Sequence, residues 1–237
     1  MTNIETATTI DVLSTLALRG VVVEIAEDFR ARTGLAIAAT YKSTNAALGL
    51  IAEGTRADMT IMTREAIDRL VRDDIIVGTG TADLAQSGVG IAVRAGAPRP
   101  DIGTVAAFRR AILDAKSIAF SRLGASGIHF GEVIERLGIA DEIRRKSKIG
   151  DSYVGEMAAR GEAEIAVQQI SELMPVQGID IVGPLPGELQ KISVFAAGIF
   201  RAAKNPNGAT KLIAALAAPG LVPVLLRKGL EPAGRAG

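Results

Sequence analysis

The sequence predicts an α/β protein built on mainly parallel sheet. Short apolar runs of strand length alternate with amphipathic stretches of helical spacing from one end to the other. Ser, Thr or Asn precedes several of the amphipathic stretches, and Gly closes them. Strand–helix alternation at this spacing implies βαβ units. The chain has 237 residues, 48% of them hydrophobic, enough for one or two domains with sizeable cores. No repeat of solenoid period and no low-complexity linker interrupts it.

Ile10–Ser14 reads as the first strand. Leu18, Val22, Ile25 and Phe29 then recur at helical spacing, and Gly34 stops that helix. Leu35–Ala39 is a second strand, followed by a helix from the Ser43-Thr44-Asn45 cluster to Gly54. Asp58–Met62 is a third strand, and Ile67, Leu70 and Val71 mark its helix. Gly88–Val93 is a strand and Ala97–Asp101 a loop. Val105, Phe108 and Ile112 form a helical stripe. Ser117–Phe120 is a strand that runs into the loop Ser121–Gly127. Phe130, Val133, Ile134 and Leu137 form another stripe, closed by Gly138. Glu164–Val167, Ile179–Val182 and Lys191–Ala197 are the remaining strands. Asn205-Pro206 predicts a cap and first turn, Pro219-Gly220 a break, Gly229 a stop, and residues 233–237 a frayed tail.

Composition excludes several function classes. Aromatic residues are 3% with no Trp, so no stacking platform for single-stranded nucleic acid is present. Basic and acidic residues number 27 and 26 without a basic block, so nucleic acid is not an expected partner. There is no Cys and one His, which excludes thiolate chemistry and multi-His metal sites. No metal or other cofactor is called for. No apolar run approaches the roughly 20 residues of a membrane span. Met1–Thr6 lacks the basic region and apolar core of a secretory signal, so the chain as written reads as cytoplasmic. A periplasmic chain whose leader had been removed would read the same way.

Three strand-to-helix junctions carry small hydroxyl residues: Ser14-Thr15, Ser43-Thr44-Asn45 and Ser121–Gly127. Ligands of open parallel sheets bind at strand carboxyl ends. A helix start offers free N–H groups and partial positive charge, so such junctions suit a small anion. Each alone is equally an ordinary helix cap. Lys42 and Arg122 lie beside two junctions and would attract a carboxylate or oxyanion. Arg19, in the first turn of the first helix, reads as either an anion contact or a solvated cation. His129 falls in the first turn of its helix if Ser126 is the N-cap. It then either faces a ligand or serves as a surface or capping residue. Gln168 and Gln169 close a buried strand and suit hydrogen bonds to a ligand or a hinge. No Ser/His/Asp spacing, paired carboxylates, P-loop or HExxH occurs, so nothing demands catalysis.

These segments resemble the type 2 periplasmic-binding-protein family, as used by the molybdate-binding protein of ABC importers. The resemblance rests on Glu24–Gly34, on Ser43-Thr44-Asn45 with Ile51–Gly54 and Ala57-Asp58, and on Gly124–Gly127. Val167–Leu173, Gly178–Pro186 and Gly229–Ala233 are similar to a branch of substrate-binding-domain proteins to which aconitate isomerase is also similar. The resemblance implies two α/β lobes, residues 1–84 with 193–237 and residues 85–192, with a ligand cleft between them that closes by hinge motion. In molybdate binders a Ser stands where this chain has Ala17, and a Tyr where Gln168 falls. Ser43 or Thr44 matches a hydroxyl contact, Ser126-Gly127 an amide contact, and Tyr153-Val154 a further contact.

The expected ligand is therefore a small anion, a di- or tricarboxylate rather than a molybdate-type oxyanion, held by the Ser14-Thr15 and Ala17 segment, Lys42, Ser43, Thr44, Arg122, Ser126, Gly127, Tyr153 and Gln168. The first functional expectation is a solute-binding protein, partnered by ABC importer membrane subunits if exported. The alternative is an isomerase of the aconitate isomerase type, which abstracts a proton next to a carboxylate. Its proton carrier would be His129, Lys42 or Tyr41. A regulator's ligand-binding module is disfavoured, because no DNA-binding segment is attached.

Overall fold

A computed structural model describes residues 8–234. The reading of Met1–Thr6 and the last three residues of the expected tail lie outside the described residues. The elements run β1 (Thr9–Thr15), α1 (Arg19–Thr33), β2 (Ala36–Lys42), α2 (Thr44–Ala52), β3 (Met59–Thr63), α3 (Arg64–Arg72), β4 (Ala82–Arg94), α4 (Val105–Asp114) and β5 (Ile118–Phe120). There follow α5 (Ala125–Arg136), α6 (Ala140–Arg145), β6 (Ser147–Ile149), α7 (Gly155–Ala159), β7 (Ile165–Gln169), α8 (Ile170–Leu173) and β8 (Ile179–Pro184). The chain ends with β9 (Ile192–Ile199), α9 (Pro206–Leu216), α10 (Val222–Arg227) and β10 (Glu231–Pro232). The described residues divide into two compact units, one up to Gln86 and again from Val194, the other Ser87–Ser193. Strands β4 and β9 run through both boundaries.

In the first unit the sheet order is β2-β1-β3-β9, with β1 parallel to β2 and β3 and β9 antiparallel to β3. Alternate strand residues serve two cores. Ile10, Val12, Met59, Ile61, Phe195 and Ala197 face α1, α9 and α10. Leu13, Met62 and Ala196 face α2 and α3. Helix α1 buries Val21, Val22, Ile25 and Phe29 on one stripe and ends where Gly34 adopts φ +73°, its N–H on the Arg30 carbonyl. Asn205 caps α9 through its side-chain oxygen, 2.9 Å from the Gly208 N–H, with Pro206 in the first turn. Buried Asp58, just before β3, ties β1 to the start of α9: its carboxylate accepts from the N–H groups of Asp11 (2.8 Å), Lys204 (2.8 Å) and Asn205 (2.7 Å).

The second unit is a mixed sheet. Strand β4 pairs antiparallel with β7 and with β8, and β5 lies parallel between β7 and β6. Phe108 and Ile112 from α4 pack with Phe130, Val133 and Ile134 from α5 over one face. The other face is thin, with Ala158 of α7 and Leu173 of α8 on Ala92, Ala119 and Ala166. Two expected starts move. A single 3-10 turn, Leu16–Leu18, separates Thr15 from α1, so Ser14-Thr15 does not cap that helix. The cap of α5 is Gly124 rather than Ser126, because the Ser121 Oγ accepts from the Leu123 and Gly124 N–H groups and turns the chain early. The short elements α6, α7, α8, β6 and β10 carry too few residues for a readable period.

Candidate functional site

Register brings the hydroxyl residues of the first unit to one sheet end. Ser14 lies opposite Tyr41, Thr15 opposite Lys42, and Ser14 opposite Ile61. The carboxyl ends of β1, β2 and β3 are therefore flush, as expected of a ligand end. Ser14, Thr15, Ser43, Thr44 and Thr63 are all buried there. Ser14 Oγ donates to the Thr15 carbonyl at 3.0 Å. Ser43 and Thr63 hold the cap positions of α2 and α3 in extended conformation, yet neither side chain makes a capping hydrogen bond. The first N–H groups of these nine-residue helices have no intrahelical acceptor. Thr63 was not foreseen; its signal was a Thr at the end of a strand that leads directly into a helix. Lys42 is exposed beside this end. The Arg19 guanidinium lies 5.6 Å from the centre of the half-buried Tyr41 ring, a cation–π contact that holds it over the β2 end. Ala17 contributes only backbone, inside the buried 3-10 turn.

The second unit presents the loop Ser121–Gly124 and the start of α5 at the end of β5. A Cβ at residue 127 would sit 1.6 Å from the Ser121 carbonyl oxygen, so only Gly fits where the loop crosses the first turn. Ser126 is buried in that turn and Arg122 is exposed on the loop. Strand β7 ends beside β5. Gln168, expected as a ligand contact, has its amide engaged within the unit. Its oxygen accepts from the Val154 N–H (2.9 Å) and its nitrogen donates to the Ser152 carbonyl (3.0 Å). It positions the loop that carries half-buried Tyr153. Gln169, expected to bond a ligand or a hinge, has its amide engaged within its own unit. With its amide oriented to satisfy both ends, it donates to Gly88 O (2.9 Å) and Ser87 O (3.1 Å) and accepts from Ser193 Oγ (3.0 Å). It thus bonds the chain at both unit boundaries.

His129 is not at the helix start. It lies in the second turn of α5, buried, with Nε2 2.7 Å from the Leu189 carbonyl and Nδ1 3.6 Å from Glu132. The Nε2–H donates to that carbonyl, which withdraws the ring from the role of ligand contact or proton carrier. The titratable group missed by sequence reasoning is Glu172, buried in the turn after β7. Burial pushes its carboxyl up to about 7, and the Gln168 amide opposes this only in part. A Glu within Val167–Leu173, otherwise apolar, amide and hydroxyl residues, was the available signal. Among the described residues no group of three or more His, Asp or Glu could hold a metal, and no single helix is long and apolar enough to cross a membrane.

Comparison with known proteins places this arrangement. The chain is 33% identical over 232 residues to an aconitate isomerase from Pseudomonas sp., covering 95% of this chain and 88% of that protein. The periplasmic molybdate-binding protein of Azotobacter vinelandii superposes with a TM-score of 0.80 at 16% identity, over 95% of this chain and 100% of that one. The tungstate-binding protein of Desulfovibrio alaskensis G20 gives 0.64 at 16% identity, over 97% and 100%. These structures show the type 2 periplasmic-binding-protein fold. The model of the bacterial extracellular solute-binding protein family matches residues 10–231, and the chain belongs to that family.

Proposed function

We propose that the chain binds a small di- or tricarboxylate anion. The observation that carries this is the flush carboxyl end of β1–β3. There two cap-position hydroxyls, Ser43 and Thr63, make no cap bond and stand at helix starts. Lys42 adds charge beside them, and in the second unit Arg122 stands beside the α5 start. Each cation by itself suits a carboxylate group. Ala17 supplies no hydroxyl where molybdate binders have one, which favours carboxylates over a tetrahedral oxyanion. A thermal-shift panel on stripped protein tests it, with molybdate, sulfate, citrate, cis- and trans-aconitate and short dicarboxylates. A ligand at about 100 times its Kd adds about 2.7 kcal/mol, a rise of roughly 5–10 °C in a chain of this size. A rise with molybdate alone overturns the carboxylate reading.

A second reading, that the protein interconverts cis- and trans-aconitate, is favoured by the 33% identity to aconitate isomerase across nearly the whole chain. That reaction moves a proton and needs cations and N–H groups for the charge that develops on carboxylate oxygens. Incubation with cis-aconitate, followed by chromatographic separation of the isomers, decides between binding alone and turnover.

A further inference from the structure

Glu172 lies in the turn that follows β7, nine-tenths buried. Among the described residues no Arg, Lys or His pairs with it, and the only polar side chain that bears on its acidity is the uncharged Gln168 amide. A buried carboxyl without a cation is costly in a core whose only task is packing. The preceding residue repeats the anomaly: Ser171 Oγ is buried with no hydrogen-bond partner among the described residues. Both groups stand at the carboxyl end of β7, beside the end of β5 that carries the Ser121–Gly127 loop. Gln168 holds the Ser152–Val154 loop with both atoms of its amide, and the same side chain acts on this carboxyl to favour its ionised form. A proton affinity matched to neutral pH, in such a place, is what an acid–base group requires.

Resting on the isomerase reading, we propose that Glu172 is the proton carrier of aconitate isomerisation, with Gln168 as its positioning residue. The ionised carboxylate removes a proton from the substrate methylene that lies between a carboxylate and the double bond. The C–H electron pair enters the allylic system, the double bond shifts by one carbon, and the charge spreads onto the carboxylate oxygens. Neutral Glu172 returns the proton to the carbon that was vinylic and is a carboxylate again. No oxidant, reductant or further reactant takes part.

The test uses the whole chain as wild type, Glu172→Gln and Glu172→Asp. It follows aconitate interconversion, deuterium uptake from D2O and aconitate affinity by calorimetry. Wild type is expected to turn over with a rate that rises as pH passes through neutrality. Glu172→Gln should lose about 10³-fold in kcat, with deuterium uptake lost in parallel and Kd within about threefold. Glu172→Asp should retain part of the activity with its pH limb displaced. A glutamine variant that keeps more than about a tenth of kcat and the wild-type pH profile overturns the assignment alone. If that variant fails to fold, an aspartate variant with an unmoved pH limb does so. Wild type that binds aconitate but neither converts it nor exchanges deuterium overturns the isomerase reading, and the assignment with it.

Discussion

Replacing Glu172 by glutamine removes an ionisable group from the interior of the second unit and leaves its shape nearly unchanged. The carboxyl titrates at 4.5 in the absence of structure and at about 7 in the folded protein. At about 1.36 kcal/mol per tenfold change in proton affinity, that interval amounts to about 3 kcal/mol. The folded protein binds this proton more tightly than the unfolded chain does. Below pH 4.5 both states are protonated and Glu172 costs nothing. The cost grows as pH rises through about 7 and is complete above it. Glu172→Gln should therefore be more stable than wild type at pH 8 by about 3 kcal/mol, or roughly 6–12 °C, and by far less at pH 4.5. Urea denaturation of both proteins from pH 4.5 to 8 measures the difference directly, because all other titrating groups are common to the pair. A difference that does not change with pH would refute both the burial argument and the neutral-pH proton affinity derived from it. The expected gain at pH 8 also means that lost turnover in this variant cannot be put down to unfolding.

Asp58→Ala leaves three backbone N–H groups without their charged acceptor, and at about 1.5–3 kcal/mol for each such bond a loss of at least about 4.5 kcal/mol is expected in chemical denaturation. Gly127→Ala forces a methyl into the Ser121 carbonyl and should cost at least about 2 kcal/mol and weaken anion binding. Gly131→Ala, four residues along the same helix with open space around its position, should gain about 0.5–1 kcal/mol instead. Ser43→Ala removes a hydroxyl that makes no cap bond, so melting should move by less than about 1 °C while carboxylate affinity measured by calorimetry falls several-fold.

Much of the architecture was legible because it is written in periods and caps. Phe29 and Ile25 recur on the stripe that α1 buries, and Gly34 stands where the left-handed turn is needed. The Asn205-Pro206 pair starts α9 as its chemistry dictates. The carboxyl-end junctions were legible too, since a strand of known length must end where its apolar run stops. The elements α6, α7 and α8 were not, because four to six residues show no period and are held by contacts with distant strands. Side-chain roles were legible only as residue types. Gln168 and Gln169 are identical in sequence terms, yet one braces a loop and the other bonds the chain at both unit boundaries. His129 drew attention as the lone imidazole, and a carbonyl sixty residues away along the chain occupies it.

The sequence by itself determined the alternation of strands and helices, the absence of thiol and multi-His chemistry, and the hydroxyl residues placed before helices. Those properties follow from local composition and spacing. Tertiary structure alone decided that the ends of β1, β2 and β3 are flush, that Gly127 must lack a side chain, and that Glu172 is buried without a cation. Each of these depends on which distant backbone lies alongside, and a proton affinity is set by that surrounding rather than by the residue's identity.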